Sequence, residues 1–316
     1  MTEGTISQSG ISGPVWATDD ECVSIFSGHE SFPCRYGWLV KLYRALEEDP
    51  TLFADEEKAI LTLGLGKNMV KSIRFWSHAY GLSHSRKGVT LNTVFAHRLL
   101  DPSRGFDPYL EDLASLWRLH WHVSVHGRLG AWLAAIQGSK DTRVSRAKLI
   151  EMVLERADRE KGGISPTTAA VHSDIFIRTY DSSRAGPAHL PEEGASCPFQ
   201  ELDLLATDEV NGVQIITFHR GPKRALGPRE LAFALSDFWS GTAKGSTTLS
   251  IRSLQFDRRG PGTVFRLDEN TLFSMLEDLA GSGIFTIEHD GAGGAALVAN
   301  SDDHLKQLET IAWLNS

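Results

Sequence analysis

Residues 64–82, GLGKNMVKSIRFWSHAYGL, decide how the N-terminal third of the chain is read. Two glycines precede a run that, at about 100° per residue, separates into two faces. Lys67, Lys71, Arg74 and His78 share one side, and Met69, Ile73, Trp76 and Tyr80 the other. The spacing predicts an amphipathic helix over 67–80, stopped by Gly81. A nucleotide P-loop needs G-x-x-x-x-G-K-[ST], but Leu61 stands five positions before Gly66, and Asn68 follows Lys67. That motif is therefore absent. A glycine pair before a helix still exposes backbone N–H groups at the positive end of its dipole, and the three cations add side-chain donors. The pattern suits a nucleic-acid backbone. An ordinary solvated cationic face is the competing reading.

Upstream, Ser31-Phe32-Pro33 predicts a helix start, with Tyr36, Leu39, Val40, Tyr43 and Leu46 at helical spacing up to Asp49-Pro50. A second helix follows Asp55 as its cap and ends near Gly64 to Gly66. Downstream lies the basic stretch HSRKGVTLN, residues 84–92. Three short helices and this stretch predict a helix-turn-helix unit with a wing over 21–105, after a loose tail at 1–20. Residues 106–185 form a mostly helical middle layer, with segments near 108–123, 131–137, 144–159 and 166–180. The Pro- and Gly-rich GPAHLPEEGASCP marks a linker at 186–200. In 201–316, VQIITFHR and TTLSIRSLQF alternate as strands, and PRELAFALSDFW is helical. An Asp268-capped helix, the hairpin pattern GIFTIEHDGAGGAALVAN and a closing helix near 302–314 then suggest a second winged-helix-like module. The fold class expected is α+β, mainly α with small β hairpins.

The chain has 316 residues and a net charge of -8, which argues against indiscriminate coating of nucleic acid. The charge is segregated. Between Gly64 and Arg104, Lys67, Lys71, Arg74, Arg86, Lys87, Arg98 and Arg104 face only Asp101, leaving +6, whereas residues 187–212 hold six acids and no Lys or Arg. This predicts one anion-binding face on an acidic body. No run of about 18 uncharged apolar residues occurs, and the N-terminus lacks a basic and then apolar leader, so a cytoplasmic protein without membrane partners is expected. Cys22, Cys34 and Cys197 form no C-x-x-C and are expected to be free thiols.

FSGHESFPCRYGW, residues 26–38, is the second constellation. Ser27 to Glu30 has capping-box spacing, but Pro33 follows too closely for a comfortable helix, leaving His29 and Glu30 as polar residues on a turn. Imidazole beside carboxylate binds a divalent metal or acts as a general base toward water. His120, His122 and His126 form H-x-H-x-x-x-H, whose last two members suit one helical face, although no metalloprotease glutamate accompanies them. Asp174 and Arg178, four apart, read as a salt-bridge pair.

FSGHESFPCRYGWLVK, LGLGKNMVKSIRFW, IFIRTY and GTVFRLDENTL together resemble the domain-of-unknown-function family that includes the B component of Ssp-type DNA phosphorothioation systems. The resemblance runs from about Phe26 to the C-terminus. It implies a DNA-nicking protein acting with a cysteine desulfurase, an ATPase and an ATP-pyrophosphatase-like partner in replacing a non-bridging phosphate oxygen by sulfur. The matching positions are Ser27, Gly28, His29, Glu30, Gly64, Gly66, Lys67, Asn68 and Arg74. One departure is that the approach to IFIRTY, GGISPTTAAVHSD, is less basic than the family leads one to expect.

The reading is a strand-nicking DNA endonuclease with His29 and Glu30 as catalytic residues, using water activated directly or on Mg or Mn. Arg35, Gly64, Gly66, Lys67, Asn68, Lys71, Arg74, Arg86 and Lys87 bind the nucleic acid. The alternative is a noncatalytic DNA-reading adaptor that recruits the sulfur-transfer enzymes, and a transcriptional regulator stands third. A homodimer on a symmetric site is compatible with the pattern, although no zipper seam is evident.

Overall fold

The computed structural model describes residues 23–160, 162–184, 197–289 and 293–314. The inferred tail at 1–20 and most of the inferred linker lie outside them. Helix α1, Trp38–Glu48, starts later than Ser31-Phe32-Pro33 suggested. Glu30, Ser31 and Gly37 all have positive φ, which no helix accommodates, so the chain turns twice before α1 begins. Asp55 caps α2, Glu56–Leu63, by accepting from the Lys58 N–H, and Gly64 ends it with φ 60°. Helix α3, Lys67–Ala79, follows as expected.

Strands β1, Ser83–Arg86, and β2, Val89–Asn92, form an antiparallel hairpin over the basic stretch. Its two turn residues, Lys87 and Gly88, both have positive φ, as a two-residue turn matching strand twist requires. Helix α4 spans Val94–Leu100.

Helix α5, Leu113–Val125, is buried on nearly every side, including Arg118 and His120. Such a helix sits at the centre of a core. Arg118 tolerates burial because Glu230 pairs with it at 3.1 Å and the Phe106 and Trp313 rings lie 4.0 and 4.8 Å from its guanidinium. After α5 come α6, Gly130–Trp132, which continues as a π turn over Leu133–Gln137, then β3, Arg143–Ser145, α7, Arg146–Arg159, and α8, Pro166–Tyr180.

Strands β4, Leu205–Val210, and β5, Val213–Phe218, join β3 in an antiparallel sheet of order β3-β5-β4. That sheet ties positions 143–145 to 205–218, across the segment read as a linker. The C-terminal part contains α9, Pro228–Thr242, β6, Thr248–Ser250, α10, Ile251–Phe256, α11, Pro261–Val264, α12, Glu269–Ala280, β7, Phe285–His289, β8, Ala295–Ala299, and α13, His304–Ala312. The expected strand over TTLSIRSLQF is corrected to a three-residue strand followed by α10. Leu249 packs from the strand, then Leu254 and Gln255 turn inward at helical spacing. Architecture and content are α+β.

Candidate nucleic-acid interface

The inward face of α3 is fixed by Val70, Ile73, Trp76 and Ala79, all buried. Trp76 is fully buried, stacks on Tyr80, and donates its indole N–H to the Phe32 carbonyl at 2.9 Å. Burial of one such side chain contributes about 1.5–3 kcal/mol, enough to set the rotation of the helix. The opposite face is thereby committed to solvent. Gly66 offers no side-chain cap and no acid occupies the first turn, so the N-terminal N–H groups meet no carboxylate of the helix itself.

The cations on the solvent face are held differently. Lys67 is exposed and pairs with Glu56 at 2.9 Å, an exchangeable surface pair. Lys71 is exposed. Arg74 stacks on Phe53 at 4.9 Å and donates to Ser85 Oγ at 3.1 Å. The same hydroxyl lies 3.1 Å from His78 Nε2 and 2.8 Å from Thr90 Oγ1. Ser85 thus locks the hairpin onto α3. Burial first, then Arg74 and His84, lower the His78 imidazole to about 4, so it is neutral at neutral pH. Asn68, Arg86 and Lys87 are exposed, as are Gly64 and Gly66, while Arg35 lies under the rings of Phe32 and Trp38.

The turn at 28–31 packs along the edge of this face. Phe75, one helical turn beyond Lys71, meets the His29 ring edge-on at 5.8 Å, and a Cβ on Gly28 would stand 2.7 Å from it. Glu30 and Ser31 have φ of 50° and 62°. Consecutive non-glycine residues in this region cost roughly 1–3 kcal/mol each and persist only where their surroundings hold them. Here the His29 carbonyl accepts from the Phe32 N–H and Ser72 Oγ, both at 2.9 Å.

The His29 ring is buried, and both its nitrogens are engaged. Nδ1 accepts from the Ser31 N–H at 3.1 Å, so the proton of the neutral ring resides on Nε2, which donates to His172 Nδ1 at 3.1 Å. Burial lowers His29 to about 4. Burial, with His29 beside it, lowers His172 to about 3. The chain of tautomers ends at His172 Nε2–H, buried and without a hydrogen-bond partner among the described residues.

Other expectations are rearranged. Asp174 does not pair with Arg178. It takes Arg146 in two parallel bonds of 2.6 and 2.8 Å, because β3 and α7 bring that guanidinium alongside α8. Arg178 is thereby left to the Ser31 carbonyl at 3.4 Å, with burial, Arg184 and Asp174 among the influences on it, and Arg35 near enough to repel it. Sequence spacing assigns Arg178 to a salt bridge because an i, i+4 carboxylate offers a sufficient partner. His120 is used up structurally, bonding Tyr180 at 2.8 Å and the Val264 carbonyl at 3.0 Å, whereas His122 and His126 face a separate cavity.

Among the described residues, no group of three or more His, Cys, Asp or Glu is arranged to hold a metal ion. Cys34 and Cys197 are free and buried, and no described helix is long and apolar enough to cross a membrane.

A family model described as "Protein of unknown function (DUF4007)" matches residues 26–312. The chain belongs to the DUF4007 family. Two solved structures share its fold, "SspB crystal structure" at 28% identity and "Magnesium ion-bound SspB crystal structure" at 27%. Each has a TM-score of 0.80 and covers 91% of this chain and 86% of the other. No curated protein matches. The turn at 28–31, α3 and Arg178 fall within the residues matched by the DUF4007 model.

Proposed function

We propose that this chain binds DNA through the outer face of α3 and the β1–β2 hairpin, and nicks one strand at the 28–31 turn in Ssp-type phosphorothioate modification. The likeness to SspB structures supports the system, and its partners would be the cysteine desulfurase, ATPase and ATP-pyrophosphatase-like components. One observation carries the catalytic reading: a strained turn presenting Glu30 lies along the edge of a cation-bearing helix face. In this reading α1 to α3 and the hairpin act as a winged helix. Lys67, Lys71, Arg74, Arg86 and Lys87 take backbone phosphates, and Asn68 reaches a base edge.

His29 has no free lone pair, so its role is to hold the turn. Glu30 takes the proton from water as the water oxygen bonds to phosphorus and the P–O bond to the leaving strand breaks. Arg35 and Arg178 stabilise the charge that accumulates on the non-bridging oxygens. A divalent ion would draw its ligands largely from water and phosphate, and no step here is assigned to it.

Supercoiled plasmid incubated with the chain in EDTA, magnesium and manganese tests the reading. Conversion to open circles by the wild-type chain and not by Glu30→Gln supports it. Binding without any nicking favours the adaptor instead, a reading supported by the engaged nitrogens of His29.

A further inference from the structure

A cavity of about 510 Å³ opens between α4, α5, α9 and α13, away from the 28–31 turn. Its size falls within the roughly 300–1,000 Å³ of small-molecule sites. Ring faces form its walls. Phe95 lies within 12° of parallel to His122 and 25° of Phe233, at centroid distances of 5.6 and 5.7 Å, and Trp313 stands edge-on to both Phe rings at 6.0 Å. Burial, with His126 beside it, lowers His122 to about 3, so that ring is a neutral face.

Polar groups converge at one end. Asp237 Oδ2 accepts the Trp121 indole N–H at 2.8 Å and lies 2.7 Å from His126 Nε2, leaving Oδ1 without a donor among the described residues. The His122 imidazole is influenced by the Ala79 carbonyl, while its buried Nδ1 has no partner of good hydrogen-bond geometry among the described residues. These groups suit a planar ligand with donors and acceptors along its edge. A cationic ligand is disfavoured because resident guanidiniums already use the aromatic surface: Arg98 sits 5.3 Å from the Trp313 centroid and Arg118 4.8 Å.

The position points further. Gly81, two residues beyond the end of α3, and Thr93-Val94, directly after the hairpin, line the cavity, so the chain leaving each element of the proposed DNA face reaches it. We propose that this cavity binds a nucleobase. The base comes either from a free nucleotide or from DNA in which it has swung out of the stack. Only the second source rests on the DNA-binding reading.

Isothermal titration of the full chain with the four deoxynucleosides tests the pocket directly. Val94 is exposed at its edge, so Val94→Trp blocks entry without touching the core, and Asp237→Asn removes the acceptor charge at constant size. Saturable binding of at least one nucleoside is expected, about tenfold weaker or worse in both variants, a loss in keeping with stacking on aromatic side chains. In a second arm, a duplex with one mismatched pair bound tighter than its matched parent, by the wild-type chain and not by Val94→Trp, identifies DNA as the source. Nucleoside binding without that preference identifies a free nucleotide. No response in either arm, unchanged binding in Val94→Trp, or tighter binding of tryptophan amide than of any nucleoside overturns the proposal. The last result would assign the cavity to a partner's side chain. Failure of all duplex binding while nucleosides still bind would instead count against the DNA-binding reading alone.

Discussion

His29 Nε2 lies 3.1 Å from His172 Nδ1, with the two rings 10° from parallel, joining the turn at 28–31 to the middle of α8 across 143 positions of sequence. Burial of this pair makes the stability of the turn depend on pH. The ordinary imidazole value of 6.5 falls to about 4 at His29 and about 3 at His172, chiefly through burial. As pH drops through 6.5 the unfolded chain takes protons that the folded pair refuses, so stability is full above 6.5 and is lost toward 4. The lowering at His29 alone corresponds to about 3 kcal/mol. Urea unfolding at pH 7.5 and pH 5 should show about 2 kcal/mol of it from His29, the part that falls between 6.5 and 5, and His172→Phe should make the total drop smaller. His29, His78, His120 and His122, also lowered by burial, sustain the remainder. An equal drop in both proteins contradicts His172 as a titrating member of the pair.

Gly28 and Gly64 offer a contrast between crowding and backbone preference alone. Gly28 has φ 108° and would place a Cβ 2.7 Å from the Phe75 ring, whereas Gly64 has φ 60° and open space around it. Gly28→Ala is expected to cost about 2–4 kcal/mol and Gly64→Ala only about 1 kcal/mol, as the shift of the denaturation midpoint will show. Comparable shifts would mean that the turn does not pack on α3 as described.

The elements legible in sequence are those with local signals. Asp55 and Asp268 accept from the N–H groups three residues on and start helices where their side chains predict, and the two faces of α3 follow from spacing alone. Strand β4 was missed because LATDEV is polar and short and is held by pairing with β5, not by its own pattern. The turn at 28–31 drew attention through residue types, yet its geometry comes from Ser72, Phe75 and His172, contacts that no local spacing encodes. Arg178 was concealed by the nearer Asp174, whose partner proved to be Arg146, 28 positions away.

Within the proposed nicking reaction, Glu30 and Arg178 should fail in different ways. Glu30→Gln is expected to retain DNA affinity and lose nicking. Arg178→Ala should lower nicking about 10²–10³-fold, the scale on which one charge-stabilising donor acts, with Arg178→Lys recovering part of it. Single-turnover nicking rates measured beside binding curves separate the two. Equal loss of binding in both variants would make them anchoring residues only.

The central claim is that α3 and its hairpin meet a polynucleotide backbone. Measuring affinity for a short duplex against salt concentration tests this most directly, since each neutralised phosphate steepens the log-log slope by about 0.9. The account predicts a slope of roughly -4 to -5 from the five cations assigned to phosphates, about -2 to -3 of it from α3, and shallower by about 1 in Lys71→Ala, whose ammonium is exposed. A slope near zero, or one unchanged by that substitution, would contradict it.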